Sequence, residues 1–310
     1  MSITILDGEQ IKDSLFFERE LINILPTVYE AKRPMPSARE ILPLEVSRDP
    51  DAMVTIAERL DWVGDAVAGE VGWKNGADTP VLSANRNEAL YPVRSYKLGV
   101  QWRDLDLRNA RKLGLDLDSR GVQTVFNRLR LAESNLVWNG DAAQTGIYGI
   151  TSNPDLAADV NLPSAVTWDN AASTADEILA DLLYMANYIG EQTSYTQTGA
   201  ITLLLPWTAY NIAAAKRLGS DADKTVMQFF RENTPTVVDA VIPVRELNSS
   251  KVAIAMVRDT TLATNFLVSD VRSFDPIRYS GGYSVDYELR TSGFVVYDST
   301  SIQAFDQILT

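Results

Sequence analysis

The sequence predicts an α+β protein in which one long helix has strands before and after it in the chain. Three observations carry that reading. Residues 118–140 (DSRGVQTVFNRLRLAESNLVWNG) place Val122, Val125, Phe126, Leu129, Ala132, Leu136 and Val137 mostly three and four apart, the period of one apolar stripe on a helix. Residues 170–270 alternate helical and strand-like segments, the pattern of a sheet covered by helices. Strand-like segments at 51–102 and 283–308 flank the long helix on either side.

Bulk composition bounds the function. A chain of 310 residues with 45% hydrophobic and 22% charged content can bury a large core and make two or three domains. No apolar run approaches the ~20 residues that cross a bilayer, and the first twenty residues have no basic segment followed by an apolar core, so no secretory signal is expected. There is no cysteine, hence no disulfide and no thiolate chemistry. There is no histidine either, which removes the commonest general base and the commonest zinc ligand. Catalysis would have to run on carboxylates or lysine; no enzyme, cofactor or metal site is expected. A net charge of −13 argues against a surface that grips nucleic acid throughout, while leaving room for a local basic face.

In chain order, residues 1–50 hold short apolar runs broken by Pro26, Pro34, Pro36, Pro43 and Pro50, and read as an extended arm that must lie on its own subunit or on a neighbour. Residues 51–62 and 88–102 read as two strands around a tip containing Gly64, Gly69, Gly72 and Gly76, that is, a projecting hairpin. Its tip is either an ordinary surface loop or, because Val71 and Trp73 are apolar, a docking element. A short helix is expected at 104–113. The long helix, 118–139, would span roughly 33 Å at ~1.5 Å per residue and stop at Gly140. Its other face carries Arg120, Asn127, Arg128, Arg130 and Glu133, which are either solvated or turned to a neighbouring subunit.

Further helices are expected at 173–190 (Ser173 and Thr174 capping with Asp176 and Glu177), 208–218 after Pro206, and 223–233. Strands are expected at 200–205, 236–244 and 251–256. The last strands, 283–290, 293–297 and 302–308, are too few to stand alone and should return to the long helix. The acid pairs Asp104/Asp106, Asp116/Asp118 and Asp221/Asp223 sit at expected helix starts, where carboxylates cap free N–H groups. Ser280 has no partner base, and the glycines after 140 follow a helix instead of a strand, against a dinucleotide site.

Two stretches carry a family resemblance. Leu136 to Asp155 (LVWNGDAAQTGIYGITSNPD) has an apolar helix end, "GD", a spacer, then "GxxGI" and "NP". VRSFDPIRYSGGYSVDYELRTSGFVVYDSTSI follows late in the chain, with Asp298-Ser-Thr-Ser-Ile302 where a proline form is usual. Together with the order of elements, these resemble the major capsid protein of tailed phages, the Hong Kong 97-type capsid fold.

The resemblance implies an N-terminal arm (1–50), an extended β-hairpin loop (51–102), a peripheral domain on a long spine helix (103–154 and 279–310), and an axial domain with mixed sheet and helices (155–278). It implies a non-enzymatic subunit that self-assembles into hexamers and pentamers of an icosahedral head around double-stranded DNA. The implied partners are further copies of itself, portal, scaffolding or cement proteins, and weakly held DNA, with no membrane. The implied location is the virion, after assembly in the host cytoplasm. Subunit-interface candidates are Val71, Trp73, Lys74, Arg120, Arg128, Arg130 and Glu133. An encapsulin-like nanocompartment shell is the alternative on the same fold; a carboxylate glycosidase would need paired acids in a cleft.

Overall fold

The computed structural model describes residues 36–63, 83–106, 117–141, 146–154, 156, 159–164, 166–192, 201–219, 224–233 and 238–310. In chain order these form α1 (Ala38–Ile41), β1 (Leu44–Val46), β2 (Val54–Val63), β3 (Ser83–Pro92), β4 (Arg94–Arg103) and α2 (Leu117–Asn139). Then come β5 (Val160–Asn161), α3 (Ala175–Gln192), β6 (Ile201–Pro206), α4 (Trp207–Ala215), α5 (Val226–Glu232), β7 (Val238–Val244) and α6 (Leu247–Ser250). The chain closes with β8 (Ala253–Val257), β9 (Ala263–Ser273), β10 (Ile277–Tyr279), β11 (Gly282–Val296) and β12 (Ile302–Asp306).

Helix α2 is the long helix expected from the stripe. Its apolar side lies on a sheet ordered β1-β9-β11-β10, with β4 antiparallel to β11 alongside. Val125 and Leu129 are buried there against Leu267, Tyr287 and Leu289. Each such side chain taken from water contributes about 1.5–3 kcal/mol. The helix ends at Gly140 in the left-handed region (φ 72°), and the glycine-rich exit crosses back over that end. Asp141 N donates to Ile147 O at 3.0 Å and Ile150 N to Val137 O at 2.9 Å. A Cβ on Gly149 would stand 2.4 Å from Gly140 N and 2.5 Å from Trp138 O, so only bare backbone can make this crossing.

The second sheet, ordered β5-β12-β8-β6-β7, is mixed, with β6 parallel to β7 and antiparallel to β8. Every residue of β6 is buried, as its mostly apolar run requires, Thr202 included. One face is covered by Ile178, Leu182, Met185 and Ile189 of α3 and by Phe230 of α5. The other face sets Leu204, Ile254 and Met256 against Val137 and Trp138 at the end of α2, which joins the two sheets through one core. Helix α3 opens with a reciprocal cap, Thr174 N donating to Glu177 Oε2 and Glu177 N to Thr174 Oγ1. It continues past Gly190 to Gln192, where the glycine was expected to stop it.

Further expectations change. The strand read as 88–102 is two strands: Val93 N donates to Met53 O at 3.0 Å, closing the hairpin, and the chain then enters the first sheet as β4. The segments 283–290 and 293–297 are one strand, β11, whose register shifts between Glu288 and Gly293, with Gly293 at φ 78°. That irregularity is a bulge and not a break. Lastly, β12 pairs with β8 and β5 in the second sheet, so of the late strands it is β11 that lies along α2, while Ile302 of β12 shares the core at the helix's end. Strand β9 was not expected; it ends in a polar, alternating stretch that hides its apolar start.

Candidate assembly surfaces

The hairpin of β2 and β3 is amphipathic across its two faces. Residues of one face pack on the body: Ala57 and Tyr91 are buried against Val295. Thr55 Oγ1 meets Ser292 Oγ at 2.7 Å, and Tyr91 Oη donates to Val296 O at 3.3 Å. The turn leading into the hairpin is held by Arg290, whose Nη1 donates to Pro50 O at 2.7 Å and Nη2 to Ala52 O at 2.8 Å. The outward face pairs Val54 with Pro92 and Ile56 with Leu90. Val54, Ile56 and Leu90 are 47%, 52% and 63% exposed, an apolar strip on a projecting element that nothing in the described chain covers. Beyond it Arg86 pairs with Glu58 and Glu88, so the strip gives way to charge.

The arm meets the long helix at a buried polar cluster. Trp138 Nε1 donates to Ser37 Oγ at 3.1 Å, and Arg39 grips Glu133, which also accepts from Asn265 Nδ2 at 2.8 Å. Arg39 Nη2 reaches Asp270 Oδ1 at 2.9 Å as well. Burial alone would lower the Arg39 pKa; its hydrogen bonds to Glu133 and Asp270 outweigh that and hold it above its ordinary value. The Asp270 carboxyl is likewise held below its ordinary range by Arg39 and the Val271 N–H, against the opposing effect of burial.

The structure divides the interface candidates. Arg128 is exposed on α2, and Arg120 is half-buried. Arg130 is half-buried, with its Nε enclosed and without a hydrogen-bond partner among the described residues. Glu133 is 1% exposed and turned inward to Arg39 and Asn265, so it serves the chain's own arm and has no surface left for a neighbour. Val71, Trp73 and Lys74 lie outside the described residues. Sequence reading missed Arg39, Asn265 and Arg290, because lone polar residues carry no periodic signal.

The model of the family described as Major capsid protein matches residues 69–308. The chain belongs to the major capsid protein family. Solved structures agree in fold. The capsid of Myoviridae phage XM1 superposes with TM-score 0.73 at 16% identity, covering 95% of this chain and 99% of that one. The capsid of a native GTA particle gives TM-score 0.62 at 13% identity, over 97% and 99%. The virus-like particle from Pyrococcus furiosus gives TM-score 0.55 at 12% identity, over 86% and 91%. No curated protein matches the sequence significantly. The expectation of a tailed-phage major capsid protein with the Hong Kong 97-type fold is borne out. A capsid protein is a structural protein, and its work is to assemble with its own copies into the shell of a virion.

Proposed function

We propose that this capsid protein closes an icosahedral head of hexamers and pentamers around double-stranded DNA, and that its hairpin bridges neighbouring subunits. The observation that carries the proposal is the hairpin's split character: an anchored inner face and an outer strip of Val54, Ile56 and Leu90 left exposed. An apolar strip of that kind on a polar hairpin marks a contact surface that another copy can cover. In this reading the β2–β3 hairpin is the extended loop, α2 with the first sheet is the peripheral part, and the second sheet with its helices is the axial part, with Arg128 and the hairpin tip (Val71, Trp73, Lys74) facing neighbours. No catalysis accompanies this role. Assembly takes place in the host cytoplasm, with portal, scaffolding or cement proteins as further partners. The net charge of −13 suits a container that releases its genome over one that grips it. Sedimentation velocity on the purified full chain tests this: rings of five or six copies, or whole shells, support it, and a single monomeric species at micromolar concentration contradicts it.

A further inference from the structure

The long helix runs out on Asn139-Gly140, the dipeptide in which asparagine modifies itself most readily. The chemistry needs only water and hydroxide. The Gly140 backbone nitrogen gives up its proton to hydroxide and bonds to the Asn139 side-chain carbon Cγ. The Cγ–N bond of the amide breaks, and that nitrogen leaves with a proton from water as ammonia. Water then opens the five-membered imide at either carbonyl. One product is aspartate; the other is isoaspartate, with the backbone rerouted through the side chain. Glycine favours the attack because no side chain shields its nitrogen.

The fold leaves the Asn139 side chain in water and takes the nitrogen away from it. Asn139 is exposed and Gly140 half-buried. The Asn139 C=O and the Gly140 N–H belong to one planar peptide unit, and that unit is held at both ends. Gly140 N donates to Leu136 O at 2.8 Å, and Asn139 O accepts from Ser152 Oγ at 3.2 Å. Ser152 is held in turn, its Oγ accepting from Gly149 N at 3.0 Å. Gly149 lies directly on the same unit: a Cβ there would stand 2.4 Å from Gly140 N and 2.6 Å from the Asn139 carbonyl carbon. To reach Cγ, the Gly140 nitrogen must drop its bond to Leu136 and the peptide unit must turn. Gly149 blocks that turn while the crossing is closed.

We propose that Asn139 is a latent self-modification site, sealed by the Gly140–Gly149 crossing and reactive only in a chain whose helix end has opened. The reaction is one-way. Isoaspartate adds a carbon to the backbone at a contact with no room to spare. Either product also sets a carboxylate at the carbonyl end of the helix, where negative charge is unfavourable. A chain carrying isoaspartate at 139 cannot remake the crossing, so the modification records the opening and makes it permanent. The inference concerns the single subunit and holds with or without assembly.

Ageing the unmodified full chain at mildly alkaline pH, folded in buffer or unfolded in urea, tests this. Peptide mapping by mass spectrometry, with isoaspartate methyltransferase labelling, follows each position separately. Modification at Asn139 is expected to be at least about a hundredfold slower in the folded chain. Asn75-Gly76, the chain's other dipeptide of this kind, shows in urea that the treatment is reactive. Equal rates at Asn139 in the folded and unfolded chain overturn the proposal. Ser152→Ala, at an exposed position, removes one of the two holds. It is expected to speed both Gly140 amide exchange and Asn139 modification about fivefold. Modification that fails to follow the exchange rate overturns the proposal; if this variant does not fold, the comparison within the unmodified chain still decides. After return from urea, refolded chains should hold at least about fivefold less isoaspartate at 139 than the aged mixture. Refolded chains as rich in it as the mixture overturn the proposal.

Discussion

Arg39 and Glu133 stand 94 positions apart and meet as a two-pronged ion pair, with Arg39 Nε donating to both carboxylate oxygens at 3.0 and 2.9 Å and Nη2 to Oε2 at 2.7 Å. This contact fastens the arm to the long helix. Arg39→Met would leave the buried Glu133 carboxylate with Asn265 alone, and breaking one side of a buried pair costs about 3–5 kcal/mol. Replacing both, Arg39→Met with Glu133→Leu, should recover most of that loss. Urea unfolding of the isolated subunit, followed by far-ultraviolet dichroism, measures both. A single substitution costing under about 0.5 kcal/mol would show the clamp to be incidental.

Glu288 sits on β11, 5% exposed, and accepts from Ser95 Oγ and from Arg272 Nε and Nη2. Burial pushes its pKa up, but the bonds from Ser95 and Arg272 and the charges of Lys97 and Arg272 prevail and hold it below the usual carboxylate value. A depressed folded pKa means that the unfolded chain binds the proton more readily. The stability Glu288 contributes is therefore complete above the unfolded value of about 4.3 and is lost as pH falls through the lower, folded value. Glu288→Gln should flatten the decline in unfolding midpoint below pH 4.5, measured against the unmodified chain, and leave the slope near neutrality unchanged.

Gly149 presses its bare backbone on the end of the long helix. Gly149→Ala puts a methyl 2.4 Å from Gly140 N and 2.5 Å from Trp138 O, both backbone atoms that no rotamer change can move. The expected cost is above about 3 kcal/mol, at the upper end for single substitutions. Gly121→Ala is the control, since its nearest contact is a Trp102 ring atom at 3.2 Å. Thermal unfolding of the two variants should separate them widely.

Ile56→Asp with Leu90→Asp places two carboxylates on the hairpin's outer face. Both positions are already exposed, so folding stability should change by less than about 1 kcal/mol. Shell formation should fail, because the charges would have to be buried against a neighbour. Dichroism and light scattering together check the prediction, which requires a native spectrum without particles.

Much of this architecture can be read from pattern. The stripe on α2, the capped start of α3 and the mostly apolar β6 are local signals, and each produces the element it predicts. The exit "GD…GxxGI" is legible for a physical reason now visible: Gly140 and Gly149 are the two backbones that cross. What escapes is set by distant partners. Whether Ile302–Asp306 joins the first sheet or the second depends on Ala253–Val257, some fifty positions earlier. Glu133 reads as surface because its stripe position is polar, and only Arg39 and Asn265, from two other elements, explain its burial. The bulge at Gly293 looks like a strand end for the same reason: glycine marks a departure from the ladder without saying which kind.

The most direct test of the central claim is a cryo-electron microscopy reconstruction of particles grown from the unmodified full chain. Closed shells are expected, with density from a neighbouring copy covering Val54, Ile56 and Leu90. Shells in which that strip faces solvent, or a protein that remains monomeric at high concentration, would contradict it.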